Sequence, residues 1–513
     1  MRRILQLLAS VKRGIYFLFY AAGPIAGKNS IYSKSTNKMR IRCSYKILVF
    51  LITVIFFVSC KKKTDIVPQL SVSTTTVSFP AEGGTSEIAL TCNDQWSIDN
   101  SASSWLQLSQ TTGNSGSDTI QLTTGLNATG STRSAAIVVN SSNGLSRWVK
   151  VSQVNQMYPS YNVSPIASDS TGMGSTAVQL AAKIKLGWNI GNTMEAPGGE
   201  TGWGNPPITE DYIKFVKQCG FNAIRIPCAW DFHVDNAATA HIDPNWLSRV
   251  KEVIQYCVSN DLYVLLNIHW DGGWLENNCT TAKKDSVNAK QKAFWEQIAT
   301  EMRDFDEHLM FASANEPNAD DATQMGVLMS YHQTFVNAVR STGGRNTYRV
   351  LVIQGSSEYI NVSAFPADPT PDRIMYEEHN YTPYQFTALS EDASWGKMFY
   401  YWGAGHHSTI EPDRNATWGE ENEQNSYFRG IKEKFVDKGI PVIMGEYGAY
   451  RRTAPKDLTT HNDAVDYWIT YVTKQAIAFG LKPFFWDTGG ALDRRNNQVL
   501  DQRTIDAIIA GTK

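Results

Sequence analysis

The run Leu309-Met310-Phe311-Ala312-Ser313-Ala314-Asn315-Glu316-Pro317 is a short apolar segment that stops in an amide, a carboxylate and a proline. Apolar runs of four to eight residues are the form of a strand buried on both faces of a parallel sheet. In a β/α barrel the side chains just past the C-terminal end of such a strand face the active site, and Glu316 stands there. Pro441-Val442-Ile443-Met444-Gly445-Glu446-Tyr447-Gly448 repeats the pattern. Two carboxylates presented this way are what cleavage of a glycosidic bond requires.

Working outward from these runs, apolar strand-like segments alternate with longer helical patterns from about Ala177 onward, the sequence form of βα units around a parallel sheet. The strands are expected at Ile184–Asn189, Ala223–Ile226, Tyr263–Ile268, Leu309–Ser313, Val350–Gln354, Ile374–Tyr376, Pro441–Met444 and Pro483–Trp486. Helical patterns are clearest at Glu210–Gln218, Trp246–Val258, Ala289–Arg303, Met325–Arg340, Tyr427–Lys438 and Ala464–Phe479. Count and length predict an α/β fold, a (β/α)8 TIM barrel over residues 177–513. The strand ends are polar almost throughout: Asn189 and Asn192, Arg225, His269 with Trp270, Asn315 with Glu316, Gln354, His379 with Tyr381, Glu446, and Trp486. Each alone has an ordinary structural explanation; their common phase predicts one site.

Carboxylates ending the fourth and seventh strands face each other across the barrel mouth, and a separation of about 5 Å defines a retaining glycosidase. Glu446 is then expected as nucleophile and Glu316 as acid/base. Arg225 beside Glu446 would keep it ionised, while a negative neighbour and partial burial would raise Glu316 and keep it protonated. Asn315 would hydrogen-bond the sugar's 2-hydroxyl. Aromatic loop residues, Trp203, Trp274, Trp395, Tyr400 and Trp402, are candidate stacking platforms along a cleft, Trp274 first among them.

Ahead of the barrel, residues 1–60 read as a leader. Arg40, Arg42 and Lys46 precede an apolar run, Ile47–Val58, of signal-peptide length, and translation from Met39 would make them its basic start. The run ends in Phe57-Val58-Ser59-Cys60, which resembles a bacterial lipoprotein signal, with Cys60 the lipidated first residue of the mature chain. Residues 61–69, opening on three lysines, would be a tether. The protein is therefore expected to be exported and anchored by lipid to the outer membrane. Cys92, Cys219, Cys228, Cys257 and Cys279 show no metal-ligand spacing and are expected as buried thiols.

Residues 70–155 change texture to alternating β-branched and polar residues broken by turns, with strands expected at Ser71–Phe79, Ser86–Cys92, Asp118–Thr123, Ser134–Val139 and Arg147–Val154. A small all-β, immunoglobulin-like sandwich buries them most simply. Phe79-Pro80-Ala81-Glu82-Gly83-Gly84, Gln95-Trp96-Ser97, Ser104-Trp105-Leu106, Arg133-Ser134-Ala135 and Val151-Ser152-Gln153 resemble a BACON domain, a sandwich that often precedes Bacteroidetes glycan-degrading enzymes. Trp96, Trp105 and Trp148 could stack on sugar, but tryptophan in a strand is more often core, and a spacer is expected. Residues 156–176, rich in Ser, Pro, Gly and Tyr, read as a linker.

Gly187-Trp188-Asn189-Ile190-Gly191-Asn192-Thr193, Arg225-Ile226-Pro227, Asn267-Ile268-His269-Trp270, Ala314-Asn315-Glu316-Pro317, His379-Asn380-Tyr381 and Gly445-Glu446-Tyr447-Gly448 resemble glycoside hydrolase family 5, and within it subfamily 4, over the whole second domain. The resemblance implies an endo-β-1,4-glucanase acting on xyloglucan, mixed-linkage β-glucan or substituted cellulose. It implies Glu316 as acid/base, Glu446 as nucleophile, and Arg225, His269, Asn315, His379, Tyr381 and Trp486 around the sugar in the −1 subsite.

The 513 residues carry a formal net charge of −2, which offers no general attraction to nucleic acid. No cofactor or metal is expected, and the chain is expected to act as a monomer on a β-glucan. Two other readings stay open: a surface glycan-binding lipoprotein that does not turn over, and a metal hydrolase using His269 and His379, which lacks a close-set ligand motif. Glucomannan as substrate also stays open.

Overall fold

Eight parallel strands close into a barrel in chain order in a computed structural model that describes residues 67–513 apart from 128 and 130. They are β1 (Gly187–Ile190), β2 (Ala223–Ile226), β3 (Tyr263–Asn267), β4 (Leu309–Ala312), β5 (Leu351–Gln354), β6 (Ile374–Asn380), β7 (Val442–Tyr447) and β8 (Lys482–Asp487). β8 returns to β1 with Phe485 opposite Trp188. The leader, Cys60 and tether residues 61–66 lie outside the described residues.

Period-two alternation sorts the strand residues. On β3, Val264 and Leu266 pack outward with helix residues such as Trp295 and Ile298. Leu265 faces inward with Met310, Val352, Met375, Ile443 and Phe484. A helix at Ala177–Lys183, opened by a Thr176/Gln179 capping box, brings Leu180 and Ala181 into that inner cluster and closes the barrel's N-terminal end. Gly187 is small for a reason: a Cβ there would meet the Phe484 ring at 2.1 Å.

β6 and β7 run past the expected ends at Tyr376 and Met444, and both break register there, between Glu378 and His379 and between Met444 and Tyr447. Such irregularities re-aim the side chains that follow, here His379 and Glu446. The crossing from β5 to β6 holds a single helical turn, Val362–Ala364.

The N-terminal domain is a two-sheet sandwich. One sheet orders Leu70–Val72, Gly84–Cys92, Gly116–Thr124 and Leu106–Leu108; the other orders Thr76–Phe79, Ser146–Gln153, Arg133–Ser141, Trp96–Asn100 and Thr112–Gly113. The single strand expected at Ser71–Phe79 is two strands in different sheets. Thr74 Oγ1 accepts from Thr76 N–H and Ser73 Oγ from Ala89 N–H, so the chain turns between them. Trp96 is core and donates to Asp118, Trp105 lies under the Arg133 guanidinium, and Trp148 is exposed. The five cysteines among the described residues are unpaired; Cys219 is half-buried, not buried.

Residues 156–176 do not hang free. Glu296, buried on the helix Lys284–Glu301, accepts from Ser160 Oγ and from the N–H groups of Tyr161 and Asn162. Tyr161 OH donates to Thr239 O, and Ile166–Ser168 pairs with Gly343–Gly344. Polar side chains that composition marks as linker here satisfy a buried carboxylate and a strand edge. From the same helix Lys292 meets Glu82 of the sandwich at 2.7 Å.

Candidate active site

Above the apolar inner layer, the next inward positions are Asn189 on β1, Arg225 on β2, Asn267 on β3, Gln354 on β5 and Glu377 on β6, all buried. Arg225 is the hub. Its Nη1 donates to Asn189 Oδ1 at 3.0 Å and to Glu446 Oε1 at 2.8 Å, and its Nη2 to Asn315 Oδ1 at 2.6 Å. Its Nε lies 2.8 Å from Glu377 Oε1, close as a charge pair but not aligned as a hydrogen bond. Asn189 Nδ2 donates to Gly445 O at 2.8 Å and so ties β1 to the residue before Glu446.

Glu446 is held at both oxygens, because Tyr381 OH donates to Oε2 at 3.0 Å. Across the mouth, Glu316 accepts from His379 Nδ1 at 2.8 Å, and the same nitrogen is 3.8 Å from Glu446 Oε1. One oxygen of Glu316 and one of Glu446 lie within 4.8 Å of each other. Glu316 takes a left-handed backbone, φ 46°, and its N–H donates to Gln354 Oε1 at 2.6 Å. Gln354 is itself fixed by His332, whose Nε2 bonds its carbonyl and whose Nδ1 bonds Ser313.

The charges differ from the expected order. The cleft walls around Glu316 oppose its charge only in part, since its side chain is 56% exposed, and the hydrogen bond and charge of His379, with Arg225, bring it below the ordinary carboxylate value. Burial lifts Glu446, and its pull outweighs His379 and Arg225. Burial opposes charge on His379, yet Glu446, Glu316 and Glu377 around it carry its pKa up to about 10. The mobile proton therefore rests on His379, with Glu316 ionised. A sequence shows which carboxylates meet, not which imidazole lies between them.

His269 stays neutral: burial, Arg225 and His379 hold its pKa well below the usual histidine value. Its Nδ1 sits 3.2 Å from Asn267 Nδ2 and its ring stacks on Trp486, centroids 5.8 Å apart at 9°. Asn192 is not joined to this network; it takes φ 59° beside β1 with its N–H bound by Glu195, and Asn189 contacts Arg225 instead. Trp203 is 49% exposed on the loop after β1. Trp274 is only half-exposed, edge-on to Phe294 and under Lys290 Nζ. Tyr400 and Trp402 are buried packing residues, and Trp395 is half-buried beside Tyr384. Exposed Trp270 and Phe232 were not singled out as platforms, and neither was Glu377, whose signal is an acidic pair inside a strand.

Glu316, His379 and Glu446 also form a group with ligand atoms close enough for a metal. A cation there would have to displace the proton that the three surrounding carboxylates hold on His379, since a ligating imidazole must give one up. His269, the other histidine of the metal reading, is outside that group.

A parallel barrel with a carboxylate pair at β4 and β7, a buried arginine on one and an imidazole on the other, defines a glycoside hydrolase. Comparison with known proteins agrees: residues 189–491 match Cellulase (glycosyl hydrolase family 5) and residues 95–154 match the BACON domain. The chain belongs to glycosyl hydrolase family 5. It is 33% identical to a xyloglucan-specific endo-β-1,4-glucanase of Bacteroides ovatus over 89% of this chain and 94% of that one. The solved Bacteroides ovatus GH5 xyloglucanase with a XXXG heptasaccharide aligns with TM-score 0.64 and 32% identity, covering 86% of this chain and all of that one. A GH5 xyloglucan-specific β-1,4-glucanase from a ruminal metagenomic library, in complex with XXLG, aligns with TM-score 0.62 and 37% identity, over 66% of this chain and 96% of that one.

Proposed function

We propose that this protein is a retaining endo-β-1,4-glucanase of plant cell-wall glucans, xyloglucan and mixed-linkage β-glucan before others. The observation that carries the reaction is that an oxygen of Glu316 and one of Glu446 lie within 4.8 Å of each other, in keeping with a retaining pair and short of the roughly 6.5–9.5 Å that gives an inverting enzyme room for its attacking water. Glu446, held by Arg225 and Tyr381, attacks the anomeric carbon and forms a glycosyl-enzyme. Glu316 protonates the departing oxygen, then takes the proton of the water that releases the sugar.

The proton of the first step comes from His379. A bound glycan strips water from Glu316, whose side chain is 56% exposed to the cleft, and desolvation disfavours its charge. The proton then crosses the 2.8 Å bond to Glu316, leaving His379 neutral. Asn315, its oxygen occupied by Arg225, keeps its amide N–H for the sugar's 2-hydroxyl. His269 and Trp486 form one wall of the −1 subsite, and exposed Trp203 and Trp270 offer stacking faces beyond it.

The substrate reading is supported by relatives whose names specify xyloglucan, the match to Bacteroides ovatus running over both domains of this chain. Product profiling on xyloglucan, barley β-glucan, carboxymethyl-cellulose and glucomannan tests it. Internal cleavage of xyloglucan fastest is the expected result; release of only mono- or disaccharides from chain ends, or no hydrolysis, overturns it. The basic, apolar and Ser59-Cys60 pattern supports export as an outer-membrane lipoprotein, and a mature protein beginning elsewhere than Cys60 would contradict it.

A further inference from the structure

Glu377 is fully buried on β6, and nothing so far gives it a task. Its Oε1 lies 2.8 Å from Arg225 Nε and 3.1 Å from His379 Nε2; its Oε2 has no partner. The other nitrogen of the same imidazole, Nδ1, is 2.8 Å from Glu316. Carboxylate, imidazole and carboxylate thus form one line from the barrel interior to the cleft. A buried carboxylate on one nitrogen of a histidine fixes the ring's orientation and tautomer, and so what the other nitrogen can do.

We propose that Glu377 is a positioning residue for the general acid: it keeps Nε2–H of His379 turned to the barrel interior and Nδ1 on Glu316. The assignment rests on Glu316 being the acid of the preceding section. Whether His379 is neutral or charged, Nε2 then keeps its proton and Nδ1 is the end that exchanges one with Glu316. Around this imidazole stand Arg225 from β2, His269 after β3, Glu316 after β4, Glu446 on β7, Glu377 and Glu378 on its own strand, and Tyr381 just past that strand's end. Of these, Glu377 is the buried carboxylate bonded to Nε2 and away from the glycan.

The test compares kcat/KM of wild type and Glu377→Gln on xyloglucan and on a dinitrophenyl β-cello-oligosaccharide, whose leaving group departs without protonation. Gln keeps an acceptor for Nε2–H but removes the charge. The expected result is a loss of about a hundredfold on the polymer with a much smaller loss on the aryl substrate. The alkaline limb of the polymer profile moves to lower pH, because the proton shared by His379 and Glu316 is held less tightly. Glu377→Asp, which keeps the charge at shorter reach, shifts both readouts in the same direction by less, and carries the test if Glu377→Gln does not fold. Equal losses on both substrates with an unmoved limb would make Glu377 structural, or a support for Glu446 through Arg225, and would overturn the proposal. A wild type inactive on both substrates would instead overturn the proposed function.

Discussion

Gly445 and Glu377 leave no space between them: a Cβ on Gly445 would fall 2.0 Å from Glu377 Oε1. That oxygen cannot swing away, because Arg225 and His379 hold it in a buried site. Gly445→Ala is expected to lower kcat/KM about tenfold or more by displacing the anchors of both carboxylates. Kinetics alongside near-ultraviolet circular dichroism checks this; unchanged kinetics would mean that the carboxylate moves freely.

Glu446→Gln keeps the shape of the cleft but removes the nucleophile, so turnover should fall about a thousandfold or more while polymer affinity persists. Glu316→Ala should differ: azide restores turnover of an activated aryl glycoside and yields a glycosyl azide of retained configuration. Calorimetry and product stereochemistry separate the two roles, and azide rescue with inversion in Glu316→Ala would exchange them.

Trp203 and Trp402 are two loop tryptophans with opposite surroundings, one 49% exposed and one fully buried. Trp203→Ala should raise KM for polymer several-fold, in line with about 1 kcal/mol for an exposed stacking contact, and leave the melting temperature alone. Trp402→Ala should cost about 3–5 kcal/mol of stability. Paired kinetic and melting measurements test both.

Stability should fall as pH rises from about 6.5 to 8, above the range where the buried neutral histidines His233, His269, His332 and His461 act in the opposite sense. Burial lifts Glu195 to about 7, Glu378 to about 7, Asp271 to about 8, and Glu276 well above the usual value. Between the unfolded and the raised folded pKa the native state binds protons that the unfolded state has lost, so each unit of pH favours unfolding. Both Glu276 oxygens lack partners, and Glu276→Gln should flatten the slope. A melting temperature that climbs across this range would contradict the assignment.

Chelation should leave hydrolysis intact, because His379 carries protons toward Glu316 and Glu377 rather than a lone pair toward a metal. Activity lost to a chelator and restored by a divalent ion would favour the metal reading.

The barrel was legible because a parallel strand is a nearly pure apolar run, and because polar residues at the C-terminal ends of such runs share one phase. Arg225, Asn315, Glu316, His379, Tyr381 and Glu446 were reachable on that ground alone. Glu377 was not, since the apolar run of β6 ends at Tyr376 and an acid beyond it reads as loop; the ladder to Gln354 and Ile443 carries the strand through it, and Arg225 meets its buried charge. Of Asn189 and Asn192, both polar residues at the end of the first strand, it is Asn189, the strand's inward residue, that reaches Arg225. Trp402 and Trp203 look alike in a sequence, for burial depends on what folds over them. The sandwich's sheet switch at Ser73–Thr75 was hidden because strand texture continues across it.

The helix Lys284–Glu301 is held at two places. Lys292 and Glu296 grip the sandwich and the segment after it, while Gln291 donates to Ser313 O, two residues before Asn315. One helix thus joins the sandwich, the segment after it and the end of β4 through side-chain contacts, so the acid's strand and the N-terminal domain share a single support.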